Sequence, residues 1–519
     1  MRRFVGIDSG TQSCKALVVD EQGAVLGRGQ APHRMIEGLP PGHSEQDPRE
    51  WIRAMVAAVR QALSTSGVSA SSIVAMGVSG QQHGLVPIDG HGQPIRPAKL
   101  WNDTSTTSQV NEIASAVGGG NAYRRLCGNA LLVGYTASKI LWLKQNEPEN
   151  FAGLWTVLLP HDYLNFWLTG TPSMEWGDAS GTGLMDIRTR QWVPEILTAI
   201  DNRLAARLPS LQHSGEPAGR LRPDAAAELG LSPGILVSAG GGDNMMGAIG
   251  TGAVQPGRMT VSLGTSGTIY AYSPEPVIDP ENDVAGFCDS TGGWLPLVCT
   301  MNVASSTEMV RHLFGLSVSA LEETASAIPP GSDGLMLLPY LVGERTPNIP
   351  TGTGVWLGAS ARTQTRGHYA RAAMEGATLG LNHGLRRLAS LGVKATELVI
   401  TGGGARSATW RSIAANVFGL PIRCTSEPEG AAFGAALQAI WCLHRANGEK
   451  TSIGDIVSQC VHLDSSMTAE PDPHTMIRYQ ELQELHDAGS KSLRSWFPAH
   501  RQFLDQGGRN LLRSSIGSH

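Results

Sequence analysis

Asp8-Ser-Gly-Thr-Gln-Ser13 places a carboxylate, a glycine and three hydroxyl-bearing side chains at the end of an apolar strand, with Lys15 just beyond. A nucleotide phosphate needs several backbone N–H donors aimed at one point, and a tight Gly/Thr turn between two strands can supply them. Gly10 lets the backbone approach a ligand closely. Thr11 and Ser13 add hydroxyl donors, Lys15 adds a positive charge, and Asp8 is poised to hold Mg²⁺ through water. An ordinary hairpin uses the same residue types, so this motif alone is ambiguous. A second turn, Leu263-Gly-Thr-Ser-Gly-Thr268, changes the balance. Two polyphosphate-gripping turns are expected when ATP sits between two domains.

A third group is Ser238-Ala-Gly-Gly-Gly-Asp-Asn-Met-Met-Gly-Ala248. An apolar run (Ile235 to Val237) feeds three glycines, then Asp243 and Asn244, then small apolar residues suited to a tightly packed helix. At a helix start the dipole is expected to stabilise the Asp243 carboxylate and keep its pKa low. A simple N-cap aspartate is the alternative. Three glycines are more than a cap needs, and they read as clearing space for something to approach the carboxylate. In a phosphotransferase that something is the acceptor hydroxyl, with Asp243 as a general base that orients it and takes its proton late. Met245 and Met246 read as helix packing. No GxxxxGK[ST] segment occurs, which excludes a P-loop enzyme. No GxGxxG follows the first strand, which disfavours a dinucleotide site of dehydrogenase type.

The elements that must hold these groups are legible in outline. Phe4 to Ile7 and Ala16 to Asp20 read as strands, with a third around Gly23 to Arg28. Asp47-Pro48 then precedes Trp51, Ile52, Met55, Val56, Val59 and Leu63 at helical spacing, with Asp47 as N-cap. The continuous apolar run Ile73 to Val78 suits a buried parallel strand. Antiparallel strands, a helix and a parallel strand imply a mixed α/β sheet. The strand–turn–strand pattern recurs at Val261 to Ala271. Leu398 to Ser407 then carries a Gly cluster ahead of a helical pattern at Trp410, Ile413, Ala414 and Val417. This implies a duplicated α/β unit, joined near residues 245 to 258, with two turns facing each other across a cleft. An amphipathic helix is expected from about Pro473 to Trp496, and a frayed polar tail from Gln506.

Bulk properties agree with this outline. The 519 residues exceed one typical core, so at least two domains are expected. A net charge of -5 without a long basic run makes nucleic acid an unexpected partner. The absence of an 18-residue apolar stretch disfavours a membrane span, and the N-terminus reads as a strand, not a signal peptide. Seven cysteines without a CxxC pair read as buried thiols in a reducing cytoplasm, and His/Cys spacing supports no zinc site.

Nine segments in one order make the pattern specific. They are the Asp8 turn, Gly80-Gln-Gln-His-Gly84, Leu100-Trp-Asn-Asp103, Leu158-Leu-Pro-His-Asp-Tyr163, Gly240-Gly-Gly-Asp-Asn244 and Leu263-Gly-Thr-Ser-Gly267. The series continues with Leu338 to Pro347, Gly402-Gly-Gly-Ala-Arg406 and Glu429-Gly-Ala-Ala-Phe-Gly-Ala435. Over about residues 4 to 440 the chain resembles the FGGY carbohydrate kinases. The resemblance implies an actin-like (ribonuclease H-like) duplicated two-domain α/β fold with a central cleft. Residues 1–245 would form the sugar-binding domain, 246–505 the ATP-binding domain and 506–519 a disordered tail.

Carried over by position, Asp243 is the expected catalytic base and Asp8 the acid beside Mg²⁺, both reaching the metal through water. ATP is expected on Gly10, Thr11, Gln12, Ser13 and Lys15 of the first turn and Gly264, Thr265 and Ser266 of the second. Gly402, Gly403, Gly404 and Arg406 would lie under the adenosine. The sugar is expected against Gln82, His83, Trp101, Asn102, Asp103, Asp243 and Asn244. A neutral histidine both donates and accepts, which suits a polyol. A core histidine is the alternative for His83, and core packing is the alternative for Trp101. Gln82-His83 points to a ketopentose, D-xylulose, as acceptor, where glycerol-phosphorylating members tend to carry Arg-Glu. Ribulose, a deoxyketose or gluconate are the alternatives inside the family. A non-enzymatic ATP-binding module of actin or chaperone type is the alternative outside it, disfavoured because only about eighty residues follow Ala436, without a strand-rich pattern. A homodimer is implied by the resemblance alone. Four residues depart from the pattern: Ser9, Cys14, His161 where lysine is frequent, and Ser105 where many relatives carry arginine. Ser105 bears on the identity of the sugar. Glu344-Arg345-Thr346-Pro347 reads as a loop brace, and Cys14 as a strand residue facing the core.

Overall fold

Apolar residues dominate Arg3–Ser9 (β1) and Ser13–Asp20 (β2), which pair antiparallel so that Asp8 stands opposite Lys15. The third strand runs Val25–Pro32 (β3), later than the expected Gly23 to Arg28, because Gly23 adopts φ 81° in the turn that precedes it. Helix α1 (Pro48–Ser66) starts where Asp47 accepts a hydrogen bond from the Arg49 amide, and stops at left-handed Gly67. Its apolar face, including Trp51, Met55 and Val59, packs into the core of the first sheet. Strand β4 (Ile73–Gly80) then lies parallel to β1 and brings Ser79 beside Asp8. Helix α2 (Thr136–Asn146) belongs to the long insertion that follows. The sheet continues with β5 (Pro217–Arg220) and β6 (Leu236–Ser238) in the order β5-β6-β4-β1-β2-β3, and the short strand Gly241–Gly242 pairs parallel with the end of β4 as its seventh member.

Helix α3 (Asp243–Thr251) leads into a second sheet. Its strands are β7 (Gly257–Leu263), β8 (Gly267–Ala271), β9 (Ala285–Cys288), β10 (Trp294–Thr300), β11 (Ala395–Thr401) and β12 (Ile422–Arg423), in the order β9-β10-β8-β7-β11-β12. Both sheets place the opening hairpin at the centre and a parallel strand on its far side: β1/β2 with β4, and β7/β8 with β11. The duplicated α/β unit expected from the recurring turns is therefore present.

Helices α4 (Ala304–Leu313), α5 (Arg366–Ser390), α6 (Ala408–Phe418) and α8 (Pro473–Leu493) belong to the second half. Helix α7 (Gly430–Ala446) behaves differently. It returns to the first sheet and shares a core with Phe4, Leu17 and Ala75 as well as with Met246 and Ile249 of α3. The computed structural model describes residues 1–504, so the tail expected to fray from Gln506 lies outside the described residues. Among these residues no helix is long and apolar enough to cross a membrane.

Candidate active site

Asp243 opens α3 and faces a cavity of about 210 Å³ between the two halves. That is roughly seven times the volume a water molecule occupies in the liquid, room for a small polyol. Gln82, His83, Trp101 and Asn244 line it from the first half, and Ser266, Thr268 and Arg345 from the second. The Asn244 amide N–H and its Nδ2 both donate to Asp243 Oδ1, at 2.8 and 3.0 Å, and Nδ2 also donates to Gln82 Oε1 at 2.8 Å.

The expected low pKa of Asp243 is overturned. Burial, then the charges on Asp8 and Asp178, push it up to about 7, and the bonds from Asn244 do not compensate. The glycines before it also act differently from expectation. A Cβ at Gly240 would lie 2.3 Å from the Val78 carbonyl oxygen, one at Gly241 2.5 Å from Ser290 Oγ, and one at Gly242 2.6 Å from Gln82 Cγ. They admit the protein's own groups, so that the loop leading to Asp243 sits flush on β4 and beneath the Gln82 amide.

A raised acid makes a signed prediction. The unfolded carboxyl ionises near 3.8, so folding disfavours the Asp243 carboxylate. The penalty is absent below the unfolded pKa, grows as pH rises, and is complete above about 7. Asp243→Asn is therefore expected to melt higher than the parent by roughly 1–3 °C at pH 8. The gain shrinks to nothing near pH 4, and thermal melts across that range check it. A difference that grew toward low pH would reverse the sign.

His83 occupies a left-handed backbone conformation, φ 62°, which is strained for a non-glycine residue. Its ring Nδ1 lies 2.8 Å from the Gly181 carbonyl oxygen. A carbonyl can only accept, so Nδ1 carries the proton. Burial and the nearby Lys139 and Arg345 lower the ring's pKa to about 3, so it is neutral and Nε2 is an acceptor. Tyr135 packs against the ring at a tilt of 33°, with the centroids 4.6 Å apart. Lys139, absent from the residues singled out above, holds the segment from behind: its fully buried ammonium donates to the His83 carbonyl at 2.7 Å and to that of Gly134. The available signal was a lysine directly before the apolar run Ile140-Leu-Trp-Leu143, on a helix whose neighbouring residues are apolar or small. A Cβ at Gly181 would stand 2.5 Å from the His83 ring. Gly181→Ala is accordingly expected to raise the sugar KM about tenfold with little change in kcat, an effect near 1.4 kcal/mol; steady-state kinetics giving an unchanged KM would refute this.

The second turn contributes Ser266 to the cavity, and the first adjoins its wall. Trp101 lines it, and its indole N–H donates to Thr11 Oγ1 at 3.2 Å, joining the cavity wall to the first turn. Gln12 is exposed, Gly10 closes the turn through its N–H to the Ser13 carbonyl, and the Ser13 hydroxyl accepts from Gln30. Lys15 is paired with Glu429, 2.5 Å away, at the start of α7. Ser79 Oγ donates to Asp8 Oδ1 at 2.8 Å, yet burial and Glu429 raise the Asp8 pKa to about 6 against the pull of Ser79 and Lys15. In the second turn the Gly264 and Thr265 carbonyls accept from Ala304 and Val303, at the start of α4. Gly402, at φ 85°, packs so closely that a Cβ would lie 2.7 Å from the Leu263 carbonyl oxygen. The Gly402-Gly403-Gly404 turn thus lies directly beside Gly264-Thr265-Ser266, and Arg406 follows it, exposed.

Other expected residues stand elsewhere. Asn102 is exposed and Asp103 fully buried, and neither lines the cavity. Asp103 accepts from the Ser44 and Ser105 amides, the Ser105 hydroxyl and Lys99 Nζ. Burial alone would raise its pKa, but those bonds, Ser105's foremost, hold it below the ordinary carboxylate value. Among the described residues His43, Glu45 and Asp103 have metal-ligand spacing. The Lys99 ammonium already sits among them, 3.2 Å from His43 Nδ1, 3.2 Å from Glu45 and 3.0 Å from Asp103. Ser105 accepts from that same ammonium at 2.9 Å, so a cation stands beside it, and Arg96 joins the corner through Glu45 at 2.7 Å.

His161, where lysine is frequent, sits against Asp178, 2.7 Å from its Nδ1, and Asp162, 3.1 Å from its Nε2. Burial would lower its pKa, but Asp162, Asp178 and Glu175 raise it to about 9. Ser9 and Cys14 are core residues. Glu344 braces its loop as expected, accepting from Met301, Arg345 and Asn302. Arg345, read as part of that brace, instead lines the cavity.

Comparison with known proteins covers nearly the whole chain. The N-terminal domain of the FGGY family of carbohydrate kinases matches residues 3–250 and the C-terminal domain residues 259–443. A xylulose kinase of Haemophilus influenzae is 40% identical over 93% of this chain and 98% of its own length. The crystal structure of a "xyloylose kinase" from Brucella ovis superimposes with a TM-score of 0.87 at 33% identity, covering 95% of this chain and 100% of the other. A gluconate kinase of Lactobacillus acidophilus shares the fold, with a TM-score of 0.88 at 23% identity over 96% and 99% of the two chains.

Proposed function

Because the chain belongs to the FGGY family of carbohydrate kinases and so phosphorylates a sugar with ATP, we propose that its acceptor is D-xylulose and its product D-xylulose 5-phosphate. The observation that carries this reading is the convergence of Asp243, Gln82 and His83 on one polyol-sized cavity beneath the second phosphate turn. Gln82 Nε2 is a buried donor without a protein partner, and it supplies a hydrogen bond to a sugar hydroxyl. His83 Nε2 accepts from another. The two together read adjacent hydroxyl or carbonyl groups and hold the terminal hydroxyl against Asp243.

Asp243 orients that hydroxyl and takes its proton as the γ-phosphoryl group leaves ADP; the new bond is sugar O–P and the broken one is the β,γ-bridging O–P. Trp101, tied to Thr11, keeps the sugar wall in register with the first phosphate turn. Asp8 and Asp243 fit a hard divalent cation: both are carboxyl groups whose pKa is raised chiefly by burial, and each offers oxygen ligands of the kind such an ion takes. They would hold Mg²⁺ through water, and the ion would supply charge neutralisation on the phosphates.

Gluconate is the second reading, favoured by Arg345. This guanidinium lines the cavity and has no carboxylate within ion-pair distance among the described residues, so an aldonate carboxylate would find a partner there. Coupled ADP release over a panel of ketoses, polyols and gluconate decides between them. D-Xylulose turnover far above the others is expected. Preference for gluconate would move the acceptor but keep the base, and no sugar-dependent turnover would overturn the proposal.

A further inference from the structure

We propose that a second cavity, behind the loop that carries Arg345, binds a small phosphorylated polyol and thereby changes the affinity of the acceptor site. The cavity is about 350 Å³ and lies between α5 and α8. That is roughly twelve liquid-water volumes, enough for a sugar phosphate. His486 and Ser490 stand four residues apart on one face of α8, with Arg494 one further turn on, just past its end; Lys491 flanks them. His383 and Gly380 face them from α5.

Two features separate this hollow from an ordinary basic helix end, where cations merely complement the dipole. His486 is 2% exposed and neither ring nitrogen makes a hydrogen bond, Nδ1 standing 3.9 Å from Asp487 Oδ1, although the ring lines the cavity. An orphaned buried imidazole is costly unless something else completes it. Gly380 sits in the middle of the 25-residue helix α5 with no positive φ, and a Cβ there would meet nothing within 4 Å. Glycine at such a position costs roughly 1 kcal/mol of helix stability relative to alanine. No close packing requires it, so what it preserves is the open volume.

The charge in the cavity identifies the ligand class. Lys491 and Arg494 have no carboxylate within ion-pair distance among the described residues. Asp487, the one acid in the lining, is engaged by Gln483 Nε2 at 2.9 Å and approached by Arg386 at 3.4 Å and by His486 Nδ1 at 3.9 Å. A phosphate group answers these two cations, while His486 and the Ser490 hydroxyl, which accepts from Tyr340 at 2.8 Å and keeps its own proton to donate, suit hydroxyls. The wall is shared with the acceptor cavity at two points. Arg345 and Thr346 line the first cavity and Pro347 the second. His383 of the second lies 3.5 Å from Asp283, which lines the first. A ligand that shifts either contact changes acceptor affinity, and the acceptor changes the ligand's affinity by the same factor.

Isothermal titration of the full chain with D-glucose 6-phosphate, D-glucose and inorganic phosphate tests this, with Lys491→Gln/Arg494→Gln and Gly380→Met as variants. The hexose phosphate is expected to bind, glucose not to, and phosphate to bind more weakly. Both variants should weaken hexose phosphate about tenfold or more, one by removing charge and one by filling the space. Gly380→Met should melt at or above the parent, which separates a filled cavity from a misfolded chain. In ADP-release assays the probe should shift the sugar KM of the parent and not of either variant. No binding, or binding unchanged in either variant, would overturn the site. Phosphate binding as tight as the hexose phosphate would overturn the polyol assignment, and an unresponsive KM the coupling. Binding heat needs no turnover, so these outcomes stand apart from which acceptor the first cavity takes.

Discussion

Asp243→Ala, assayed with saturating Mg-ATP and sugar, is expected to lose about 10³-fold in kcat, the usual worth of a positioned general base. The sugar KM should change far less, because Gln82 and His83 keep their own supports. Gln82 lies over Gly242, and His83 is held by Gly181, Tyr135 and Lys139. ATP affinity should be retained, since the carbonyls of the second turn are anchored at the start of α4 and not by Asp243. Asp243→Asn separates charge from shape. The amide keeps the contact to Asn244 but accepts no proton, so its kcat should match the alanine variant while its stability at pH 8 exceeds the parent's. A variant with more than a tenth of parental kcat would remove Asp243 from the role of base.

Gly434→Ala is expected to be the most damaging packing change. A Cβ at Gly434 would lie 1.8 Å from the Met246 carbonyl oxygen, and one at Gly250 would lie 1.9 Å from the Gly430 carbonyl oxygen. Helices α3 and α7 therefore cross with backbone against backbone, and a single methyl must push them apart by more than an ångström. Overpacking of this kind costs about 3 kcal/mol and roughly 5–10 °C of Tm. Because Asp243 is the first residue of α3, kcat should fall as well, even in the fraction that folds. Gly380→Ala is the matched control, since its methyl enters open space and should stabilise α5. Differential scanning calorimetry of the pair checks the prediction, and an unaltered Tm for Gly434→Ala would contradict the crossing.

This crossing explains a segment whose motif was visible but whose role was not. Glu429-Gly-Ala-Ala-Phe-Gly-Ala435 signals a helix with a small-residue face, and nothing local says which partner that face meets. The partner is α3, nearly two hundred residues earlier in number, together with the first strand of the chain. Gly240-Gly-Gly242 was similarly visible, yet its purpose depends on Val78, Ser290 and Gln82. Arg345 shows the opposite limit. Its neighbour Glu344 braces the loop, and only the direction of the adjacent side chain, a tertiary matter, turns the guanidinium into the cavity.

By itself the amino-acid sequence determined what short-range physics controls. The β1/β2 and β7/β8 hairpins, the Asp47 cap of α1, the buried parallel strand β4 and the duplicated order of elements all follow from periodicity, turn chemistry and caps within a few residues. Only the tertiary structure decided the electrostatics and the side-chain directions. A helix start favours an ionised Asp243, but the dipole is a local effect worth about 1 kcal/mol. Desolvation and the carboxylates of Asp8 and Asp178, brought in from distant parts of the chain, reverse it. Asp103 went the other way, drawn from an expected sugar contact into a closed network by Lys99, Ser44 and Ser105. Burial and charge act through space, and distance in space is what the order of residues leaves open until the chain has folded.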